Sequence, residues 1–343
     1  YSAEIPGSQS EIIPAQTGTS VRLTVDRDIQ WVASKAIAKA VKSSNALSGT
    51  VIVMDPKSGH ILAHATAPTF DPNNTKKVSL IAMRNPSVQD IYEPGSTGKI
   101  MTLAAAIEEK KITPESVLTV PYKLKRADKT FSDHEPHPTQ RLTTSGILAV
   151  SSNIGSILIG EMLSNQSLYD YLTKFGVGVK TEAGLPGESR GKLLQVSEWS
   201  GTTAPTVAFG QGYSLNTMQA TSIFATIAND GVRVPPTVIA GTSDSSGNYT
   251  PTKTQKAVRV VSATTAKQMR MMMETVVSAH GTAPTAAIAG YRVAGKTGTA
   301  QRIDDTCGCY RGYTASFIGF APADKPAYVI NVTIQDPKGM HWG

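Results

Sequence analysis

A chain of 343 residues holds one large domain or two ordinary ones, and 40% hydrophobic against 17% charged residues describes a folded chain, not a disordered one. The net charge of +7 comes from scattered basic residues. Their densest run, Lys123, Lys125, Arg126 and Lys129, has no interleaved aromatics, so nucleic acid is excluded as a partner in favour of a solvated surface or attraction to an anionic envelope.

In chain order, residues 1–20 are polar and irregular and read as a linker, the remnant of an N-terminal region. The chain begins at Tyr1 without an initiator methionine and has no run of about 18 apolar residues, which together suggest a trimmed soluble fragment. Ile29, Val32, Ala33, Ala36, Ile37, Ala40 and Val41 recur at helical spacing after Asp26 and Asp28, either of which can cap the helix. "TVIVMDPKSGHILAHATA" reads as a hairpin turning at residues 55–59. Helical patterns follow at 100–110, 144–163, 217–228 and 264–280; the methionine-rich run 269–273 is expected to face the core. "YTASFIGF" and "AYVINVTI" form a second hairpin near the end. Strands at both ends and helices between them predict one α/β domain, its sheet built from both termini, with a helical subregion inserted.

Two segments carry candidate chemistry around a lysine. Residues 290–297, "GYRVAGKT", match the phosphate-loop pattern literally. That loop works by starting a helix at its Lys-Thr, which points backbone N–H groups at phosphate. Here a glycine-rich segment without helical period follows, so a nucleotide-binding reading fails. The other segment is "YEPGSTGKIMT". Pro94 and Gly95 stop any earlier helix and a new one can start at Ser96, which puts Ser96 and Lys99 on one face at i, i+3. The residues that follow are apolar all round, so the helix is expected to be buried. Burial disfavours a charged lysine, and a neutral lysine beside a serine is a general base beside a nucleophile. A helix N-terminus also offers a backbone N–H to an oxyanion.

Two further boxes accompany it. Ser151, Ser152 and Asn153 interrupt an otherwise apolar helical run and need partners. Lys296, Thr297, Gly298 and Thr299 suit a strand in which Lys296 and Gly298 face one side and the two threonines the other, and Gly298 lets a ligand approach the backbone. In the order S-x-x-K, S-x-N, K-T-G, these are the boxes of penicillin-binding proteins and serine β-lactamases. The chain resembles class B penicillin-binding proteins over about residues 20–343, also through "VMDPKSGHILA", "DHEPHP", "GLPGES", "FGQGYSLNTMQ" and "VAGKTGTAQ". It looks most like the septal transpeptidases of high-GC Gram-positive bacteria, where a "CGCYRGYT" stretch is also familiar.

The resemblance implies a mainly antiparallel sheet flanked by helices, with residues 21–343 forming the transpeptidase domain. It implies that Ser96 attacks the penultimate D-Ala of a stem peptide while Lys99 takes its proton. Ser151 with Lys296 would relay a proton to the leaving D-Ala, and Asn153 would hold the peptide amide. Lys296, Thr297 and Thr299 would bind the terminal carboxylate beside Gly298, and the N–H groups of Ser96 and Thr299 would form the oxyanion hole. No cofactor or metal is implied. Peptidoglycan stem peptides, β-lactams, a membrane glycosyltransferase and other division proteins are the implied partners, on the extracytoplasmic face of the cell membrane. Relatives normally carry a membrane anchor, a pedestal domain and a C-terminal helix over the sheet, none of them recognisable here. A D,D-carboxypeptidase, a β-lactam sensor and a division scaffold share parts of this signature.

Three lookalikes are set aside on the residues. Glu161 in "EMLSN" lies only 8 residues after Asn153, too close to form a separate loop carrying a β-lactamase water-activating carboxylate, and is expected at the surface. "DHEPH" at 133–137 is expected to be structural or at a rim, not metal-binding. Cys307 and Cys309 could be free or joined.

Overall fold

The computed structural model describes residues 15, 17–76, 78–80, 82–253, 256–304 and 307–339. Its centre is a five-stranded antiparallel sheet. The strands are β1 (Ser48–Met54), β2 (Ile61–Ala67), β3 (Ala294–Asp304), β4 (Cys309–Ala321) and β5 (Tyr328–Gln335), in the order β3-β4-β5-β1-β2. The two hairpins read from the sequence meet along β5 and β1, where Val332 faces Val51 across the ladder. A sheet made from both ends of the chain is the result, as the strand distribution predicts.

Two cores lie on its two faces. On one, helix α1 (Arg27–Ser43) packs Ala33 and Ile37 against Val51, Val53, Ala63 and Ala65. Asp26 is its cap, accepting from the N–H groups of Asp28 and Ile29 at 3.0 Å each. The buried stripe is narrower than its apolar spacing suggests, since Val32 and Ala36 are exposed. On the other face lies the larger core, built around α2 (Lys99–Glu108), α5 (Thr217–Ala228) and α6 (Ala263–Val276). Helix α5 is buried along its whole length, and Asn331 of β5 donates from Nδ2 to Thr217 O and Thr221 Oγ1 at 3.1 Å each. In α6, Met269, Met272 and Met273 enter the core while Met271 faces out. Glu108 ties α2 to α6 by accepting from Ser262 N (2.9 Å), Ser262 Oγ (2.8 Å) and Thr265 Oγ1 (2.5 Å).

The continuous helix expected over 144–163 is corrected. It breaks into α3 (Thr144–Ala149) and α4 (Asn153–Gly160). Ser151 takes φ 60, a left-handed conformation that costs about 1–3 kcal/mol and persists only when its surroundings hold it. Ser152 then caps α4 by accepting from Gly155 N at 2.8 Å, worth about 1 kcal/mol. The polar S-S-N box stops one helix and starts the next, which is how its polar atoms find partners. The 264–280 pattern likewise ends early, at Val276. Cys307 and Cys309 are joined by a disulfide beside the start of β4. The expected linker 1–20 lies mostly outside the described residues, and strand Ser20–Leu23 begins at its end.

Candidate active site

The nucleophile candidate sits on a 3₁₀ turn, Gly95–Gly98, that leads directly into α2. Helical geometry therefore starts just before Ser96, as a tighter turn than the sequence suggests. Ser96 is partly exposed while Thr97, Gly98 and Lys99 are buried, so the turn presents its serine to the opening and hides its lysine. A second turn supports it from behind. Gly210 O accepts from Gly95 N at 2.8 Å, and Glu93 Oε1 accepts from Gly212 N at 2.9 Å. Gly210 has φ +95, and a Cβ there would fall on the carbonyl oxygen of Gly95. Only glycine allows the two backbones to approach this closely.

Lys99 is fully buried, yet its amine is surrounded by polar atoms. Nζ lies 2.9 Å from Ser96 Oγ, 2.6 Å from Ser151 O, 3.2 Å from Ser151 Oγ and 2.8 Å from Asn153 Oδ1. Burial and then the charge of Lys296 hold it well below the usual lysine range, with Asp133 acting in the opposite direction. The left-handed Ser151 is what turns both its carbonyl and its hydroxyl toward this amine. Asn153 is oriented from its other end as well, donating from Nδ2 to Ser132 O at 3.2 Å.

Lys296 closes the chain of contacts from the sheet. Its Nζ donates to Ser151 Oγ at 2.9 Å and to Thr297 O at 3.2 Å, and burial lowers its pKa to about 7. Ser151 Oγ is thus shared by two lysines. Lys296 and Thr297 lie within β3, not at a helix start, which removes the phosphate-loop reading on geometric grounds. A Cβ on Gly298 would lie 2.6 Å from Ser316 Oγ and 2.8 Å from Thr97 Cγ2, so the space left by its missing side chain is filled by the Ser96 turn and β4 and not by room for a ligand, which corrects the sequence expectation. Thr297 Oγ1 shares a hydrogen bond of 2.9 Å with Thr282 Oγ1, and the half-buried Thr299 follows on the same strand.

All eight site residues read from the sequence therefore gather in one place: Ser96, Lys99, Ser151, Asn153 and Lys296 as a bonded network, with Thr297, Gly298 and Thr299 along its edge. Glu161 is elsewhere, capping α4 and paired with Arg126 at 2.5 and 2.8 Å. Among the described residues no cluster of His, Cys, Asp or Glu is arranged to hold a metal ion. Sequence reading missed Gly210, Thr282 and Asp133. Gly210 lies in "FGQG", a segment quoted for its resemblance without a role, and Asp133 in "DHEPH", expected to be structural or at a rim but without the partners it has here.

The comparisons agree with this geometry. Residues 49–343 match the penicillin-binding protein transpeptidase domain. The chain is 40% identical over 343 residues to penicillin-binding protein PbpB of Mycolicibacterium smegmatis, covering 97% of this chain and 53% of that protein. It is 32% identical over 337 residues to the peptidoglycan D,D-transpeptidase FtsI of Escherichia coli, covering 96% of this chain and 54% of that protein. The chain thus spans about half the length of these curated relatives. Penicillin-binding protein 3 of Mycobacterium tuberculosis, solved in complex with aztreonam, superposes with a TM-score of 0.90 at 39% identity, covering 96% of this chain and 75% of that one. Three motifs from distant parts of the sequence meet at one serine, and the family match spans most of the chain: it belongs to the penicillin-binding protein transpeptidase family, and its fold is that family's fold.

Proposed function

We propose that this chain is the cross-linking domain of a septal class B penicillin-binding protein, a D,D-transpeptidase that works through an acyl-serine at Ser96. The observation that carries it is the 2.9 Å contact between Ser96 Oγ and a fully buried Lys99 amine. A neutral amine has two N–H bonds and one lone pair. Donating the hydrogens to Ser151 O and Asn153 Oδ1 leaves the lone pair for the Ser96 hydroxyl proton. Ser96 Oγ then attacks the carbonyl of the penultimate D-Ala, and the N–H groups of Ser96 and Thr299 stabilise the oxyanion. Ser151, bonded to both lysines, passes the proton to the departing D-Ala nitrogen. Lys296, Thr297 and Thr299 receive the terminal carboxylate, and Asn153 the peptide amide. The amine of a second stem peptide resolves the ester and completes the cross-link. A β-lactam opens on the same serine.

The reading places the domain on the outer face of the cell membrane. It would work there with a membrane glycosyltransferase and other division proteins through regions outside these residues. Among the described residues no helix is long and apolar enough to cross a membrane. The test is the fate of the acyl group. Given a D-Ala-terminated depsipeptide donor and a D-amino acid acceptor, the enzyme is expected to release a condensed donor–acceptor product. Hydrolysed donor alone, whatever the acceptor concentration, would replace the transpeptidase with a carboxypeptidase.

A further inference from the structure

The turn that carries Ser151 and Asn153 is held from outside the three boxes. Asp133, in the strand-to-loop segment after residues Lys129–Ser132, is buried at 8% exposure. Its Oδ2 accepts from Ser152 Oγ at 2.7 Å, and its Oδ1 from the backbone N–H of Ile154 at 2.9 Å. These two donors flank Asn153, and Ser132 O takes the amide of Asn153 itself. One carboxylate therefore fastens the residue on each side of Asn153, and its chain neighbour fastens Asn153.

We propose that Asp133 is a positioning residue of the acyl-transfer site: its carboxylate fixes the Ser151–Asn153 turn and, through that turn, the amine of Lys99. The inference rests on the acyl-serine reading. Three observations support it. Ser151 takes a left-handed backbone that its surroundings must hold, and Asp133 anchors Ser152 and Ile154, two of the three residues that follow it. The two shortest contacts of the Lys99 amine, Ser151 O and Asn153 Oδ1, both come from this turn, so a turn that moves takes the base away from Ser96. The charge of Asp133 also reaches Lys99 and favours its protonated form against burial and Lys296.

Asp133 has its own outer support. His137 Nε2 lies 3.0 Å from Asp133 Oδ2, and His137 Nδ1 lies 2.7 Å from Pro138 O. Both partners only accept, so the ring keeps both bonds by donating from both nitrogens, and its pKa rises accordingly. Asp133 thus gathers a hydroxyl, a backbone N–H and an imidazole. The same pattern without a link to Lys99 would be an ordinary helix cap. The pH profile of acylation separates the two.

The experiment measures the second-order rate of Ser96 acylation by a β-lactam against pH, for wild type, Asp133→Asn and Ser152→Ala. Asp133→Asn is expected to acylate about 10- to 100-fold more slowly, as misplacement of a catalytic group does. Its acid limb is expected to move to lower pH, because losing the carboxylate charge lets Lys99 lose its proton more readily. Ser152→Ala loses its bond to Asp133 and the α4 cap but keeps the charge, so it should slow with its acid limb in place. Asp133→Asn acylating at the wild-type rate, or slowing with an unmoved limb, overturns the proposal. Should Asp133→Asn show no cooperative unfolding transition, Ser152→Ala decides: slowing supports the anchor and an unchanged rate overturns it. Failure of the acyl-serine reading would appear separately, as a wild-type protein that forms no adduct on Ser96.

Discussion

Replacing Lys99 with methionine is expected to slow acylation of Ser96 by about 10²–10⁴-fold, the usual contribution of a positioned general base. The substitution keeps the length and burial of the side chain and removes only the amine, the group proposed to take the proton. Stopped-flow labelling with a fluorescent penicillin at saturating concentration isolates the chemical step. In the wild-type protein the rate should rise with pH as Lys99 loses its proton, and this limb should lie far below the usual lysine range because burial and the charge of Lys296 depress it. It should fall again near pH 7 and above as Lys296, whose pKa is lowered to about 7, loses the charge that attracts the carboxylate. Lys99→Met should lack the rising limb. A variant that keeps both the rate and that limb would mean that another group accepts the proton.

Gly210→Ala is expected to be the most damaging small substitution away from the reacting atoms. Its φ of +95 disfavours any L side chain by about 1–2 kcal/mol. The new Cβ would also overlap the carbonyl oxygen of Gly95, and overpacking of this kind typically costs about 1–3 kcal/mol. The neighbour that must move is backbone, and it is the turn that presents Ser96. Loss of stability and loss of acylation should therefore appear together, measured as a lower midpoint in urea unfolding and slower labelling. Gly247, also at positive φ but with open space around its missing Cβ, provides the control. Gly247→Ala should show only the backbone cost and label normally. Equal effects at the two glycines would contradict the account of the paired turns.

The two glycines also show where the sequence stops being legible. Ser96 and Lys99 could be paired on paper because i, i+3 neighbours on a helix meet by local geometry alone. The alternation along Lys296–Thr299 was readable for the same reason, since strand periodicity assigns faces without knowing what packs on them. The two hairpins and the fully buried 217–228 helix were likewise carried by local pattern. Gly210 was not, because its role depends on a backbone 115 positions away in the chain, and nothing near it says so. Asp133 was opaque in the same way: besides its neighbour His137 its partners are Ser152 and Ile154, across a turn whose existence the sequence hid. The apolar spacing of 144–163 continues through Ser151, so periodicity predicted one helix. Hydrogen-bonding needs of three adjacent polar residues decided for two.

A buried lysine hydrogen-bonded to a serine depends on many weak constraints acting at once. An isolated buried ammonium is costly, and a neutral amine is retained only if its hydrogens and lone pair are all placed. Here the Ser96 turn, the left-handed Ser151 and the amide oxygen of Asn153 all contact the Lys99 amine, and the strand bearing Lys296 holds the Ser151 hydroxyl in place. That division of labour explains why the three motifs are far apart in sequence. Each belongs to a rigid element that the core positions independently: a helix, a helix–helix turn and a sheet strand.

Whether Ser96 carries the acyl group is decided by peptide mapping by mass spectrometry after incubation with a β-lactam. One covalent adduct is expected, on the peptide containing Ser96, stable over the time of the digest and absent from Ser96→Ala. An adduct on another residue, or one that survives in Ser96→Ala, would contradict it.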